Sequence, residues 1–174
     1  MSFAGDNQFR QPGAGQPGSE SAVTLVIGYG NRQRRDDGIG PFIVERLRRL
    51  LHVSDTFRFL TVPKLTGEML EELSSAGLLL FVDTTVEGLE NGWRCERIAP
   101  EKSLAGYQTH CLTPPILLGL LGSLYRKTPP AWMVSVQGDD FRFGDEISPV
   151  ARKRVEKAFS DIVETVLRIH EGER

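Results

Sequence analysis

The sequence lacks several features that would assign it to a specialised class of protein. It has only two cysteines, Cys95 and Cys111, in 174 residues, and they show no C-x-x-C spacing. We therefore expect a reduced, cytoplasmic protein, because disulfides persist mainly in oxidising compartments. The formal net charge is −2, which favours neither nucleic acid nor an anionic membrane surface as a partner.

Long apolar runs are also missing. No stretch approaches the roughly 20 residues that a membrane-spanning helix needs, and residues 1–22 have no apolar core of the kind found in secretion signals. Those residues are rich in Gly, Pro, Gln and Ser, so they have almost nothing to bury. We expect a disordered, dispensable tail over residues 1–22 and a single α/β domain over residues 23–174.

Strand-like and helix-like patterns alternate along the rest of the chain. Apolar or alternating runs predict strands, and apolar residues at helical spacing predict helices. This alternation indicates an α/β fold, a three-layer sandwich in which a mostly parallel twisted sheet has helices on both faces. The predicted strands cover 23–27, 57–62, 78–82, 93–98 (at a possible edge) and 132–137, and the predicted helices cover 39–51, 66–77, 112–125 and 149–170.

A glycine-containing turn with two carboxylates follows the first predicted strand. Residues 27–40 read Ile-Gly-Tyr-Gly-Asn-Arg-Gln-Arg-Arg-Asp-Asp-Gly-Ile-Gly. The third glycine of a dinucleotide-binding fingerprint is replaced by Gln33, and a phosphate would meet Asp36 and Asp37 instead of bare N–H groups. The acidic pair suits a metal or proton-transfer site. One of the two aspartates is expected to do no more than cap the next helix.

Two further polar residues follow or precede predicted elements. Asp83 comes directly after the apolar run 78–82, and His110 lies just ahead of a helix. Taken singly, either residue could be a turn or capping residue. Together with Asp36 and Asp37, carboxylates and an imidazole from three loops suit a borderline divalent cation such as zinc or nickel.

Nucleophilic catalysis has less support in the sequence. Cys111 adjoins His110 but has no obvious activating base in the sequence, and a small buried residue is the commoner role of a cysteine. Ser135 does not lie in a Gly-x-Ser-x-Gly turn. The arginines at 32, 34 and 35 fit either a solvated loop or a contact with an acidic or C-terminal peptide, because guanidinium groups pair well with carboxylates.

Over residues 23–168 the chain resembles the maturation proteases of nickel–iron hydrogenases. The first motif is similar to that family's Gly-x-Gly-Asn…Asp-Asp/Glu-x-x-Gly pattern, with Asp37 at the first metal-contacting carboxylate. Phe81-Val-Asp83 resembles the strand that ends in the second carboxylate, and Thr109-His110 resembles the segment that supplies the histidine. Residues 143–149 resemble the lead into the last helix. The chain departs from the family at Asp37, where many members have Glu, and at Cys111, where Gln is common.

The resemblance implies an endopeptidase that removes the C-terminal extension of a hydrogenase large-subunit precursor after nickel insertion. Nickel held by the substrate would be the recognition element, with no permanently bound cofactor. Asp37, Asp83 and His110 would be the catalytic, metal-contacting residues, and Gly30, Asn31 and Asp36 are predicted to bind substrate. Two alternatives remain open, a non-catalytic nickel-binding or substrate-checking module and a related peptidase with an unrelated protein substrate.

Overall fold

The architecture is taken from a computed structural model that describes residues 23–102 and 112–172. Strands and helices alternate along the described residues, except that the strands Leu78–Thr85 and Trp93–Ile98 follow one another. Short 3₁₀ turns precede the first two helices, at Arg35–Gly38 and Gly67–Met69. The elements in chain order are β1 (Thr24–Tyr29), α1 (Ile39–Leu51), β2 (Phe57–Val62), α2 (Leu70–Ser75), β3 (Leu78–Thr85), β4 (Trp93–Ile98), α3 (Pro114–Tyr125), β5 (Ala131–Gln137) and α4 (Pro149–His170).

The described strands form one five-stranded sheet in the order β2-β1-β3-β5-β4. Strands β1, β2, β3 and β5 run parallel, and β4 pairs antiparallel with β5 at the edge. Helices cover both faces, so the predicted α/β architecture is confirmed, including the strand at 93–98 as an edge strand. Within the described part of the chain, no helix is both long enough and apolar enough to cross a membrane.

Each face of the sheet buries its own hydrophobic core. Alternate residues of the central strands point to opposite faces, which explains why these strands read as continuous apolar runs. On one face Val26, Leu80 and Val134 pack with residues of α1 and α4. On the other face Leu25, Ile27, Leu79 and Phe81 pack with residues of α2 and α3.

The strand order reverses between β1 and β3. Strand β1 continues through α1 on one face to β2, and β2 continues through α2 on the opposite face to β3. The carboxyl ends of β1 and β3 therefore form a topological switch point, the place where open α/β sheets bind ligands. Gly28 pairs with Val82 in this register, so Tyr29 and Asp83 are neighbours at the switch point.

Two local predictions were wrong. The strand predicted to stop at Asp83 continues to Thr85, because β5 pairs with it through Thr85 and Gln137. Asp83 therefore lies within the sheet and not in a loop. Neither aspartate of the acidic pair caps α1, since the 3₁₀ turn intervenes and the N-cap position is Gly38. The proposed tail over residues 1–22, His110 and Cys111 lie outside the described residues.

Candidate active site

A tight turn after β1 places Asp37 at the carboxyl edge of the sheet. Gly30 has a φ of +139°, and a Cβ there would overlap the carbonyl oxygen of Asp37. Glycine at this position therefore allows the two backbone segments to approach closely. The backbone N–H of Asn31 donates to Asp37 Oδ2 over 2.8 Å, and that of Gln33 donates to Asn31 Oδ1 over 2.9 Å. These bonds fix the loop and orient the Asp37 carboxylate.

Asp83 lies beside Tyr29 on the face of the sheet covered by α2 and α3. Burial raises the pKa of Asp83 to about 6. The Tyr29 hydroxyl and the Thr84 backbone N–H, the latter 2.7 Å from Asp83 Oδ1, lower the pKa by hydrogen bonding, and the charge of Asp37 raises it. The pKa of Tyr29 is raised well above its usual range, first by burial and then by the Asp83 charge. The two carboxylates are thus close enough to affect each other.

Asp36 has a structural role that sequence reasoning missed. Its side chain is fully buried. Its carboxylate accepts hydrogen bonds from the backbone N–H groups of Asp139, Asp140 and Ser148 and from the Ser148 hydroxyl, at 2.7–2.9 Å. Burial by itself would raise the pKa of Asp36, but these hydrogen bonds outweigh burial and hold the pKa below its usual value. Asp36 therefore clamps the loop after β5 to the loop after β1, and its substrate contact stays a prediction.

Grooves open on either side of the Asp37–Asp83 pair. One, of about 320 Å³, is lined by residues that include Gly30, Asn31, Val62 and Pro63. The other, of about 300 Å³, lies between the sheet and the start of α3, and its lining includes Asp83, Ile98, Pro114, Met133 and Ser135. Asp83 itself lines the second groove, and Asn31, whose N–H donates to Asp37, lines the first.

A larger groove, of about 510 Å³, lies between β4 and α4 and is lined in part by Cys95. Burial raises the pKa of the Cys95 thiol to about 11, with Glu96 adding to the effect and Arg168 opposing it. The thiol is therefore protonated near neutral pH, and a protonated thiol is a poor nucleophile. Neither aspartate of the Asp37–Asp83 pair lines this larger groove, whereas Asp83 lines the groove of about 300 Å³.

Solved structures share this arrangement of sheet and helices. The NiFe hydrogenase maturation protease HycI from Thermococcus kodakarensis superposes with a TM-score of 0.64 and 23% identity, over 84% of this chain and 93% of that chain. The Escherichia coli hydrogenase maturating endopeptidase HybD gives a TM-score of 0.63 and 20% identity, over 86% and 94%. The chain has the fold of the hydrogenase maturation proteases.

The hydrogenase 2 maturation peptidase of a thaumarchaeon has the same fold, with a TM-score of 0.59 and 19% identity over 87% of this chain and 99% of that one. No family model and no curated protein matches the sequence. At these identities the likeness establishes the maturation-protease fold, and the chemistry has to be argued from the residues of this chain.

Within that maturation-protease fold, the structure brings together two of the three predicted metal-contacting residues. Asp37 and Asp83 meet at the switch point, whereas His110 lies outside the described residues. Residue 112 begins the lead into α3 beside the groove at Asp83. Among residues 23–102 and 112–172, no group of three or more His, Cys, Asp or Glu side chains is arranged to hold a metal ion. The three-residue set stays a prediction.

The raised pKa of Asp83 predicts a pH-dependent effect on stability. The Asp83 carboxyl binds its proton more tightly in the folded state than in the unfolded state. Protonated Asp83 therefore stabilises the fold below about pH 4, and this stabilisation is lost as the pH rises through about 6. Asp83→Asn should therefore be more stable than the wild type at pH 7.5, by about 1–3 kcal/mol after allowance for solvent screening. At pH 4 the difference should nearly vanish. Urea unfolding at both pH values measures it.

Asp55→Asn is the matched control, since Asp55 is exposed ahead of β2, at the opposite end of the sheet. This substitution should change the free energy of unfolding by less than about 0.5 kcal/mol. An equal loss of stability in Asp83→Asn at both pH values would show that the carboxylate is not destabilised by its surroundings.

Proposed function

We propose that the protein is an endopeptidase that removes the C-terminal extension from a nickel-loaded precursor of a hydrogenase large subunit. The observation that carries this proposal is the meeting of Asp37 and Asp83 at the β1–β3 switch point of a maturation-protease fold. Burial and the charge of Asp37 both disfavour an ionised Asp83, so its carboxylate does not serve to stabilise the fold at neutral pH. The cytoplasm is the proposed location.

The nickel in this proposal belongs to the substrate and is the feature that the enzyme recognises. Carboxylate oxygens of Asp37 and Asp83 and the imidazole of His110 would approach it, a donor set that suits nickel. The protein itself would hold no permanent cofactor. Nickel carried by the precursor would supply Lewis-acid chemistry next to the scissile bond.

Proton transfer would be the main contribution of the chain's own residues. Asp83 has a pKa of about 6, so it is ionised at neutral pH yet basic enough to accept a proton from an attacking water. It could then return the proton to the leaving amine. Tyr29 and the Thr84 backbone N–H would keep the carboxylate in place during these transfers.

The substrate peptide would lie extended along the sheet edge. Gly30 and Asn31 line the groove on the β2 side, and the groove beside α3 would receive residues on the other side of the scissile bond. Together the grooves would hold a few residues around the cleavage site, so that the reacting carbonyl is placed between the two carboxylates.

Incubating the wild-type protein with nickel-loaded and nickel-free precursor tests this proposal. We expect intact-mass measurement to show loss of a C-terminal peptide from the nickel-loaded precursor, while the nickel-free form resists cleavage. Cleavage of the nickel-free form at the full rate would contradict nickel recognition. Nickel-dependent binding without any cleavage would instead identify a substrate-checking module.

A further inference from the structure

The loop between β5 and α4 presents an exposed aromatic side chain at the same sheet edge as the acidic pair. Phe143 leaves 83% of its surface exposed to solvent. A large apolar side chain in this position gains nothing from burial in the fold. Single exposed apolar residues are common on protein surfaces, so the backbone that carries Phe143 and its neighbours decide what it can do.

The backbone on both sides of Phe143 is held by hydrogen bonds to the loop after β1. The N–H of Gly144 donates to the carbonyl of Gln33 over 3.0 Å, and the N–H of Arg35 donates to the carbonyl of Gly144 over 2.9 Å. On the other side, Arg34 Nε donates to the carbonyl of Phe141 over 3.1 Å. Phe143 is therefore presented by a fixed backbone.

The turn after Phe143 depends on glycine. Gly144 has a φ of +152°, and a Cβ there would lie 2.9 Å from Arg35 Nε. At the base of the loop, the buried Asp36 carboxylate binds the N–H groups of Asp139, Asp140 and Ser148. The conformation that exposes the ring is thus set by folding, which lowers the entropic cost of using it in binding.

The Phe143 loop also carries or contacts exposed cationic side chains. Arg142 is 81% exposed, and its guanidinium is oriented by two hydrogen bonds to the Asp140 carboxylate, at 2.9 and 2.7 Å. Arg34 is exposed in the loop after β1, the loop to which the Phe143 loop is hydrogen-bonded. Aromatic and arginine side chains are enriched at the centres of protein–protein interfaces and among the residues that contribute most to affinity.

We infer that Phe143, together with the exposed Arg34 and Arg142 of the same loop contact, is the docking anchor for the folded body of the protein substrate. This inference rests on the proposed function. The Phe143 loop is hydrogen-bonded to the loop that carries Asp37, so a protein whose C-terminal peptide reaches Asp37 would also meet Phe143. The matching surface on the substrate would be an apolar pocket bordered by carboxylates.

Steady-state cleavage of nickel-loaded precursor by Phe143→Ala tests the inference. We expect KM to rise roughly 10- to 30-fold, as for the loss of an interface hot spot, while kcat stays near the wild-type value. Phe143→Tyr should keep KM near the wild-type value, because it retains the ring. Leu50→Ala is the matched control, since Leu50 is 56% exposed at the end of α1, at the opposite edge of the sheet.

The outcomes separate this inference from the function on which it rests. If the wild type does not cleave the precursor, both are overturned. If the wild type cleaves but Phe143→Ala keeps the wild-type KM, only the docking role is overturned. The same KM increase in Leu50→Ala would also overturn it, because the effect would then not depend on this loop.

Discussion

Asp37→Asn should reduce processing of the nickel-loaded precursor at least roughly 100-fold, the scale expected when a group that acts in the transition state is lost. The substitution removes the negative charge that faces Asp83 and the substrate metal, while Asn retains an oxygen to accept from the Asn31 N–H. His110→Ala should give a similar loss of processing, because it removes the only imidazole among the three predicted metal-contacting residues. Single-turnover cleavage measures both, and unfolding in urea should show changes below about 1 kcal/mol.

Cys111→Ser is the control for the chemistry of these variants. We assign no chemical role to its thiol, so the variant should keep substantial activity. A thiol-protease mechanism would predict the reverse pattern. An inactive Cys111→Ser variant, together with residual activity in His110→Ala, would replace the metal-guided mechanism with a cysteine nucleophile.

Asp36→Ala should cause the largest loss of stability, about 3–5 kcal/mol. It would remove the acceptor of the backbone N–H groups of Asp139, Asp140 and Ser148, of which the Ser148 N–H is buried. Asp36→Asn should cost less, since its single oxygen can still accept from part of this donor set. The pKa of Asp36 is lower in the folded state than in the unfolded state. The ionised carboxylate therefore stabilises the fold above its unfolded-state pKa, and this stabilisation is lost as the pH falls through its folded-state pKa.

The free energy of unfolding in urea at pH 7 checks this prediction. Asp145→Asn removes an exposed carboxylate from the same loop and should change stability by less than about 0.5 kcal/mol. A change below about 1 kcal/mol in Asp36→Ala would mean that the loop does not depend on this clamp.

Much of the fold could be predicted because its signals are local. The buried strands read as apolar runs, and Ser148 followed by Pro149 marks the start of α4, where the Ser148 hydroxyl accepts from the Ala151 N–H. The strand order and the antiparallel direction of β4 depend on packing between distant segments. Similarly, the end of β3 is set by its partner β5 and not by its own sequence.

Part of the candidate site could likewise be predicted from local sequence, and part depends on contacts between distant segments. Asp37 and Asp83 could be identified because each follows an apolar run that ends at one edge of a parallel sheet. The role of Asp36 could not, since its partners lie more than 100 residues along the chain. A sequence shows only that Asp36 is acidic, and the closure of the loop after β5 over it makes the carboxylate structural. The pairing of Tyr29 with Asp83 likewise follows from strand register.

The most direct test of the central claim, that the Asp37–Asp83 pair is where the peptide is cut, is the mass of nickel-loaded precursor after incubation with matched variants. The wild type and Asp55→Asn should each release one C-terminal peptide and leave a single shortened product. Asp83→Asn should leave the precursor at its full mass although the variant is folded. Release of the same peptide by Asp83→Asn at the wild-type rate, or an uncut precursor with the wild type, would contradict the account.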